Sequence, residues 1–347
     1  PVADVDGRPW AVRADPHHED KDAIASAAVT PRLASAWLVG AACAVWLGFS
    51  SVDASAQPAT PPAGPFAVGK ITINFTDNSR RITLAHRRHV PRQLQTVIRY
   101  PALGDPSRVD VRDAPAASVD GPFPLIVFAH GFDVTPDTYS RLMRAWAQAG
   151  YVVAAPTFAL TNANAPGGAK ESNLVNQPKD VSFVISRLLA RNPAGYGVLS
   201  GLINPNQIAV AGHSDGGSTA LAVAYNRHYV DHRIRAAVIL SGAEIPGVTG
   251  YSFPAPSPPL LATQGTADTS NIPASTRTYF RLAPQPKFLL SLLRAGHGPP
   301  YISQQPQLSI VEQATIAFLD TYLTGLSEAS SRMWSAADAP GVATLSR

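Results

Sequence analysis

The sequence predicts an α/β fold organised around a mostly parallel central sheet with helices on both faces. Two observations carry that expectation. From Phe66 onward, short apolar runs of strand length alternate with amphipathic stretches of helical period. Residues 123–129, FPLIVFA, are apolar without interruption, which suits a strand covered on both faces rather than one with a wet side. Composition agrees with a large packed core. Apolar residues make up 45% of the 347 and charged residues 15%, against roughly 25% charged in an average globular chain, so neither a solvated disordered chain nor a coiled coil fits. Proline, at 32 residues, is about twice its usual share and implies many rigid loops.

Taken in order, residues 68–75 and 94–100 read as opening strands, paired antiparallel, and 123–129 as the first central strand. A helix over 136–148, ended by Gly150, leads to a strand over 151–155. Residues 180–191 form a helix with Val181, Val184, Ile185, Leu188 and Leu189 on one side. A strand over 207–211 runs into Gly212 and a helix over 216–226. Strands over 236–240, 260–263 and 287–293 follow, then a helix over 311–323. The folded domain is thus expected over 66–327, with 328–347 as a loose tail.

Ahead of the domain, the chain opens on Pro1 rather than methionine, and residues 1–32 are read as a leader from a fragment or a reading frame taken too far upstream. Residues 33–49, LASAWLVGAACAVWLGF, are uncharged and preceded by Arg32, and Ala54-Ser55-Ala56 fits a small-residue cleavage pattern. Residues 33–56 are therefore expected to be an export signal cut after Ala56, giving a secreted protein. The competing reading is a retained membrane anchor holding the domain outside the cytoplasm; 17 helical residues span only about 25 Å of a bilayer core of about 30 Å. Residues 57–65, QPATPPAGP, form a proline-rich linker. Cys43, the single cysteine, lies in the apolar run, which excludes disulfide frameworks and cysteine-ligated metal sites from the exported chain. Residues 1–56 hold four basic and seven acidic side chains, so a net charge of +4 becomes +7 once they are removed.

The strand ending at Ala211 runs into Gly212-His213-Ser214-Asp215-Gly216-Gly217, a G-x-S-x-G pattern at a strand-to-helix junction. Such a turn strains the serine backbone to expose its hydroxyl, and glycines flank it where side chains would strike the adjoining strand and helix. Ser214 is the candidate nucleophile. A serine hydroxyl is weakly nucleophilic at its free pKa and needs a base that a carboxylate orients. Asp268 follows one strand in Gln264-Gly265-Thr266-Ala267-Asp268, and His297 follows the next in Ala295-Gly296-His297-Gly298. Both loops leave the sheet at the edge that carries Ser214. Glu244, after the strand over 236–240, is the competing acid.

Among the other histidines, His17 and His18 lie in the leader, and His228 and His232 in the polar stretch RHYVDHR. His213 adjoins the serine too closely to turn back on it, and His130 is expected to brace the loop His130-Gly131-Phe132-Asp133. That loop and the elbow should supply the oxyanion donors, the backbone N–H groups of Phe132 and Asp215. The Phe132 ring would then line the acyl pocket.

With FAHGF, VAGHSDGG, QGTAD and GHG in this order, residues 66–325 resemble the secreted α/β-hydrolase serine esterases, in particular the chlorophyllase-like, platelet-activating-factor acetylhydrolase-like and cutinase-like polyester hydrolases. The resemblance implies an α/β-hydrolase fold and carboxylic-ester hydrolysis through Ser214, His297 and Asp268. Dienelactone hydrolases are also similar, but they use a cysteine where this chain has Ser214. Polyester hydrolases carry an aromatic on the loop after the strand that follows the elbow helix, whereas Ser241-Gly242-Ala243-Glu244 has none, which weakens a polymer substrate.

The interval 241–259 is short and rich in Gly and Pro, so no cap domain is expected. Loops over 156–177 and 245–258 would roof an open groove, with Tyr251 and Phe253 as candidate pocket residues or as pins of their own loop. Arg80, Arg81, Arg87, Arg88 and Arg92, with His86 and His89, form a basic cluster read as a solvated hairpin edge, with attachment to an anionic cell surface as the functional alternative. No nucleic-acid motif accompanies it. No metal or organic cofactor is implied, and a monomer is expected. The contrasting function class, an inactive binding protein on the same scaffold, would require a broken triad.

Overall fold

The computed structural model describes residues 64–347 apart from 85–87, 194, 196 and 247–248. The leader, the export or anchor segment with Cys43 and Ala56, most of the linker, and His86 and Arg87 lie outside the described residues. Chain order is β1 (Ala67–Thr83), β2 (His89–Ala102), β3 (Val111–Arg112), β4 (Phe123–Ala129), α1 (Ser140–Gln148), β5 (Val152–Pro156), α2 (Gln177–Arg191), β6 (Ile203–His213) and α3 (Asp215–Tyr225). Then come β7 (Ile234–Leu240), β8 (Leu260–Gly265), α4 (Pro273–Leu282), β9 (Lys287–Leu292), α5 (Pro299–Ile302), α6 (Gln307–Tyr322), α7 (Ala329–Ala337) and β10 (Ala343–Ser346).

One sheet holds these strands in the order β10-β9-β8-β7-β6-β4-β5-β2-β1-β3. The pairs from β5 through β4, β6, β7 and β8 to β9 are parallel, while β1, β2 and β10 join antiparallel to their neighbours. Side chains alternate across a strand, so a doubly covered strand must be apolar at every position. In β4, Leu125 and Val127 pack with Val181, Val184 and Leu188 of α2 and Leu221 of α3. Ile126 and Phe128 point into the opposite layer, with Leu142 and Trp146 of α1 and Phe318 of α6. The expected fold class is the one observed, with helices on both faces.

Residues 241–259 hold no helix or strand among the described residues, so nothing in that interval forms a cap. No described helix is long and apolar enough to cross a membrane.

Residues 328–347 are not loose. Ala343–Ser346 pair antiparallel with Leu289–Leu292, Met333 is buried, and the Trp334 ring lies 6.1 Å from that of Phe288. A four-residue strand and a short helix carry too weak a local pattern to announce themselves; contact with β9 and α6 decides their structure.

The basic cluster is not one exposed patch either. Arg92 is buried, and its guanidinium forks onto the buried Asp180 of α2 through Nε and Nη2 at 2.6 and 2.5 Å, with Nη1 on Asn173 at 2.8 Å. Arg80 donates to Asp77 at 2.6 Å, where the β1–β2 register shifts. Arg81 and Arg88 stay exposed. Removing one member of a buried pair leaves an uncompensated charge. Asp180→Ala should therefore lower the unfolding free energy by roughly 3–5 kcal/mol, seen as a lower urea midpoint, whereas Arg81→Ala and Arg88→Ala should stay within about 0.5 kcal/mol.

Candidate active site

β6 ends at the centre of the sheet and hands the chain directly to α3, and Ser214 makes the corner with φ 57° and ψ −123°. Its neighbours leave no room for side chains. A Cβ on Gly212 would lie 2.1 Å from the Gly216 carbonyl oxygen, and one on Gly216 would lie 2.0 Å from that of Ala129. The corner is closed by Ser214 N–H donating to Leu240 O at 3.0 Å and Ser218 N–H donating to Ser214 O at 2.9 Å.

The loops after β8 and β9 converge on this corner. His297 Nε2 lies 2.7 Å from Ser214 Oγ, and His297 Nδ1 lies 2.8 Å from Asp268 Oδ2. The carboxylate accepts only, so Nδ1 carries the proton and Nε2 is left to receive one from the serine. Asp268 is buried and further oriented by Ser270 N–H at 2.9 Å, Asn271 N–H at 3.0 Å and Gln264 Nε2 at 3.2 Å. The competing acid, Glu244, is exposed and makes no hydrogen bond to His297.

The loop after β4 packs against Ser214: a Cβ on Gly131 would come within 3.3 Å of Ser214 Cβ. Among the described residues, neither the Phe132 N–H nor the Asp215 N–H has an internal acceptor; Asp215 follows Ser214 and Phe132 follows Gly131 in the chain. The Phe132 side chain is partly open to solvent at 37%. His130 donates from Nδ1 to Gly131 O at 2.7 Å and accepts the Phe158 N–H on Nε2 at 3.1 Å, so it braces this loop. Burial pushes its pKa down to about 4, which keeps it neutral in that role.

Tyr251 and Phe253 do not line this corner. The Phe253 N–H donates to Tyr225 O at 2.9 Å, and Tyr225 ends α3, roughly 15 Å from its start at 1.5 Å per residue. The Tyr251 and Phe253 rings lie 5.2 Å apart and pack on Tyr279 and Tyr225, pinning their own loop. Sequence reasoning missed Tyr301, whose hydroxyl meets Ser241 Oγ at 2.9 Å and Thr263 Oγ1 at 3.1 Å beneath the site. The only signal for it is an aromatic four residues after His297, too common a spacing to single out.

Asp215 carries a carboxyl that sequence reasoning used only for its backbone. It is buried, and Oδ2 has no hydrogen-bond partner. Burial first, and then the negative charge of Glu171, raise its pKa from 3.8 to about 6. The folded state therefore holds a proton that the unfolded chain releases, and stability contributed below pH 3.8 is lost as pH rises to about 6. The full loss is about 3 kcal/mol at 1.36 kcal/mol per pKa unit. Asp215→Asn should gain stability relative to the wild type over this window, by up to about that amount, in urea melts at pH 4, 5, 6 and 7. A difference independent of pH would remove the assignment.

The chlorophyllase family model matches residues 111–274, a span that includes Ser214 and Asp268 and stops short of His297. No curated protein matches the chain significantly. Among solved structures, a ferulic acid esterase from Streptomyces cinnamoneus aligns over 78% of this chain and 94% of its own, with 24% identity and a TM-score of 0.59. The fold is shared with 939 solved chains, so the architecture by itself leaves the substrate open. Strand order and the likeness to the solved esterase give the chain an α/β-hydrolase fold, and residues 111–274 are similar to the chlorophyllase family.

Proposed function

We propose that the protein hydrolyses carboxylic esters through a Ser214–His297–Asp268 triad and an acyl-enzyme. The observation that carries this reading is the chain of contacts from Asp268 through His297 to a serine on a strained, glycine-walled corner. His297 Nε2 takes the Ser214 proton as Oγ attacks the ester carbonyl, and the resulting oxyanion receives the N–H groups of Phe132 and Asp215. Collapse breaks the bond to the alcohol, which leaves with the proton from Nε2. Water then repeats the sequence on the acyl-serine, releasing the acid and restoring Oγ–H.

Phe132 is an exposed aromatic on the loop whose Gly131 packs against Ser214, which supports it as a contact for the acyl group. With no helix or strand between β7 and β8, the groove has few walls, and each enclosed methylene contributes only about 0.8 kcal/mol. Short to medium acyl groups and bulky alcohols are therefore the preferred substrates. The stretch Ser241-Gly242-Ala243-Glu244 that follows β7 carries no aromatic, which disfavours polymers. Export is supported by the apolar run over 33–49 and Ala54-Ser55-Ala56, and binding to an anionic surface would use the rest of the basic cluster, Arg81 and Arg88 among the described residues, since Arg80 and Arg92 are ion-paired.

Ser214→Ala should lower kcat by about 10⁴ to 10⁶ and abolish stoichiometric labelling by an active-site phosphonate. Asp268→Asn should cost about 10⁴ in kcat by favouring the wrong imidazole tautomer, with Glu244→Gln near normal; the reverse pattern would move the acid to Glu244.

Velocity on tributyrin should rise smoothly through the solubility limit, and p-nitrophenyl esters from acetate to palmitate should show a short-chain optimum. An interfacial jump with a palmitate optimum would mean that the loops form a lid.

A further inference from the structure

Behind the triad, a second line of hydrogen bonds joins the two loops that flank Ser214. Gly131 N–H approaches Tyr139 Oη at 3.4 Å, Tyr139 Oη meets His213 Nδ1 at 2.8 Å, and His213 Nε2 meets the His297 carbonyl oxygen at 2.8 Å. Gly131 belongs to the oxyanion loop, and His297 is the base. Tyr139 and His213 are both buried, so water does not compete for these bonds.

Chemistry allows one proton arrangement. The His297 carbonyl can only accept, so His213 Nε2 carries the hydrogen. Burial first, and then the neighbouring His297, hold the His213 pKa down to about 3, so the ring is neutral and Nδ1 is an acceptor. Tyr139 must then donate to Nδ1, and burial keeps its hydroxyl protonated. Its lone pair is left for the Gly131 N–H. The His213 ring is also clamped between Tyr301 at 4.9 Å and His297 at 4.7 Å.

We propose that Tyr139 and His213 are positioning residues, a strut that sets the spacing of the oxyanion loop and the base on either side of Ser214. The inference rests on the serine-hydrolase reading above. It gives the residue before the nucleophile a task beyond packing. Without the Tyr139 proton, His213 is free to take the other tautomer, which turns a lone pair toward the His297 carbonyl and releases the base. Misplacement by about 1 Å at a reacting group costs about 10²-fold in rate.

The test compares the full-length chain with Tyr139→Phe, His213→Leu and His213→Gln. It reads the rate of Ser214 labelling by a fluorophosphonate, kcat and KM on p-nitrophenyl butyrate, and the thermal midpoint. Tyr139→Phe keeps the ring packed 4.9 Å from Phe128, and glutamine can still donate to the His297 carbonyl. Tyr139→Phe and His213→Leu should lower labelling rate and kcat together by about 10- to 100-fold with KM within about twofold, and His213→Gln should recover to within about threefold of the wild type. A folded Tyr139→Phe within about twofold of the wild type in both rates would overturn the proposal, as would a folded His213→Gln no better than His213→Leu. If His213→Leu does not fold, Tyr139→Phe decides. Failure of the wild type itself to label at Ser214 would instead bring down the serine-hydrolase reading.

Discussion

Ser214 is held in a backbone region that side chains avoid, at a cost of about 1–3 kcal/mol, and the packing around it explains how that conformation persists. Every residue of α3 is buried. Alanine, glycine, serine and threonine make up most of its first two turns, so the helix can lie close against β6 and β7. The closeness is such that a Cβ on Gly217 would sit 2.8 Å from the Gly242 Cα. Relaxing the serine would mean lifting this helix off the sheet and opening apolar surface on both. The strain is thus opposed by burial distributed over a whole element, and the hydroxyl stays where the loops after β4, β8 and β9 can reach it.

Those loops carry polar groups into a region with little water, and the pattern of their partners sets the local charge. His130 and His213 are fully partnered as neutral rings, and Asp268 accepts from four donors. Asp215 is the exception, with one carboxyl oxygen buried and unpaired. Its own N–H is a proposed oxyanion donor, and an ionised carboxylate on the same residue would oppose charge developing nearby. Burial and Glu171 both favour the neutral acid, which holds below about pH 6 and gives way to the carboxylate above it. The histidines work in the opposite direction in acid: their lowered pKa values mean stability is lost as pH falls below 6.5 and the unfolded chain takes up protons.

The central strands and the placing of Ser214, Asp268 and His297 at strand ends were legible in the sequence because each depends on a local pattern. A doubly buried strand is apolar throughout, and each site residue lies within a few positions of a strand end marked by glycine. Arg92 was read as part of a charged edge, yet it shares the inward alternation of Leu94 and Thr96, all buried while Gln93 and Gln95 are exposed. What could not be read was its partner, because Asp180 sits 88 residues away among the apolar positions of α2. Of the two roles open to Tyr251 and Phe253, pinning their own loop is the one observed, and the sequence could not choose because aromatics on such a loop are as able to fold back on α3 as to face outward. Tyr139 and His213 were invisible as a pair because their contact joins residues 74 positions apart through a ring nitrogen.

The loop after β5 is held differently from the helix that follows Ser214. Residues 157–177 are tied down by buried polar contacts rather than by apolar packing alone. Gln177 Nε2 donates to Thr161 Oγ1 at 2.8 Å, Thr219 Oγ1 donates to Gln177 Oε1 at 2.6 Å, and Asn162 Nδ2 donates to Phe158 O at 2.6 Å. Thr161, Gln177 and Thr219 are all fully or nearly fully out of water, so lifting this loop would break bonds that desolvated groups need. At about 1 kcal/mol net for each intact bond, and about 1–3 kcal/mol for each group left unpaired, a swinging lid there would cost several kcal/mol on every turnover. Thr219 lies on α3, about one turn beyond Ser214, which ties the 157–177 loop to the helix that begins at the corner. Under the proposed esterase reading, discrimination among esters would then arise from a preformed arrangement of these loops rather than from closure around the substrate.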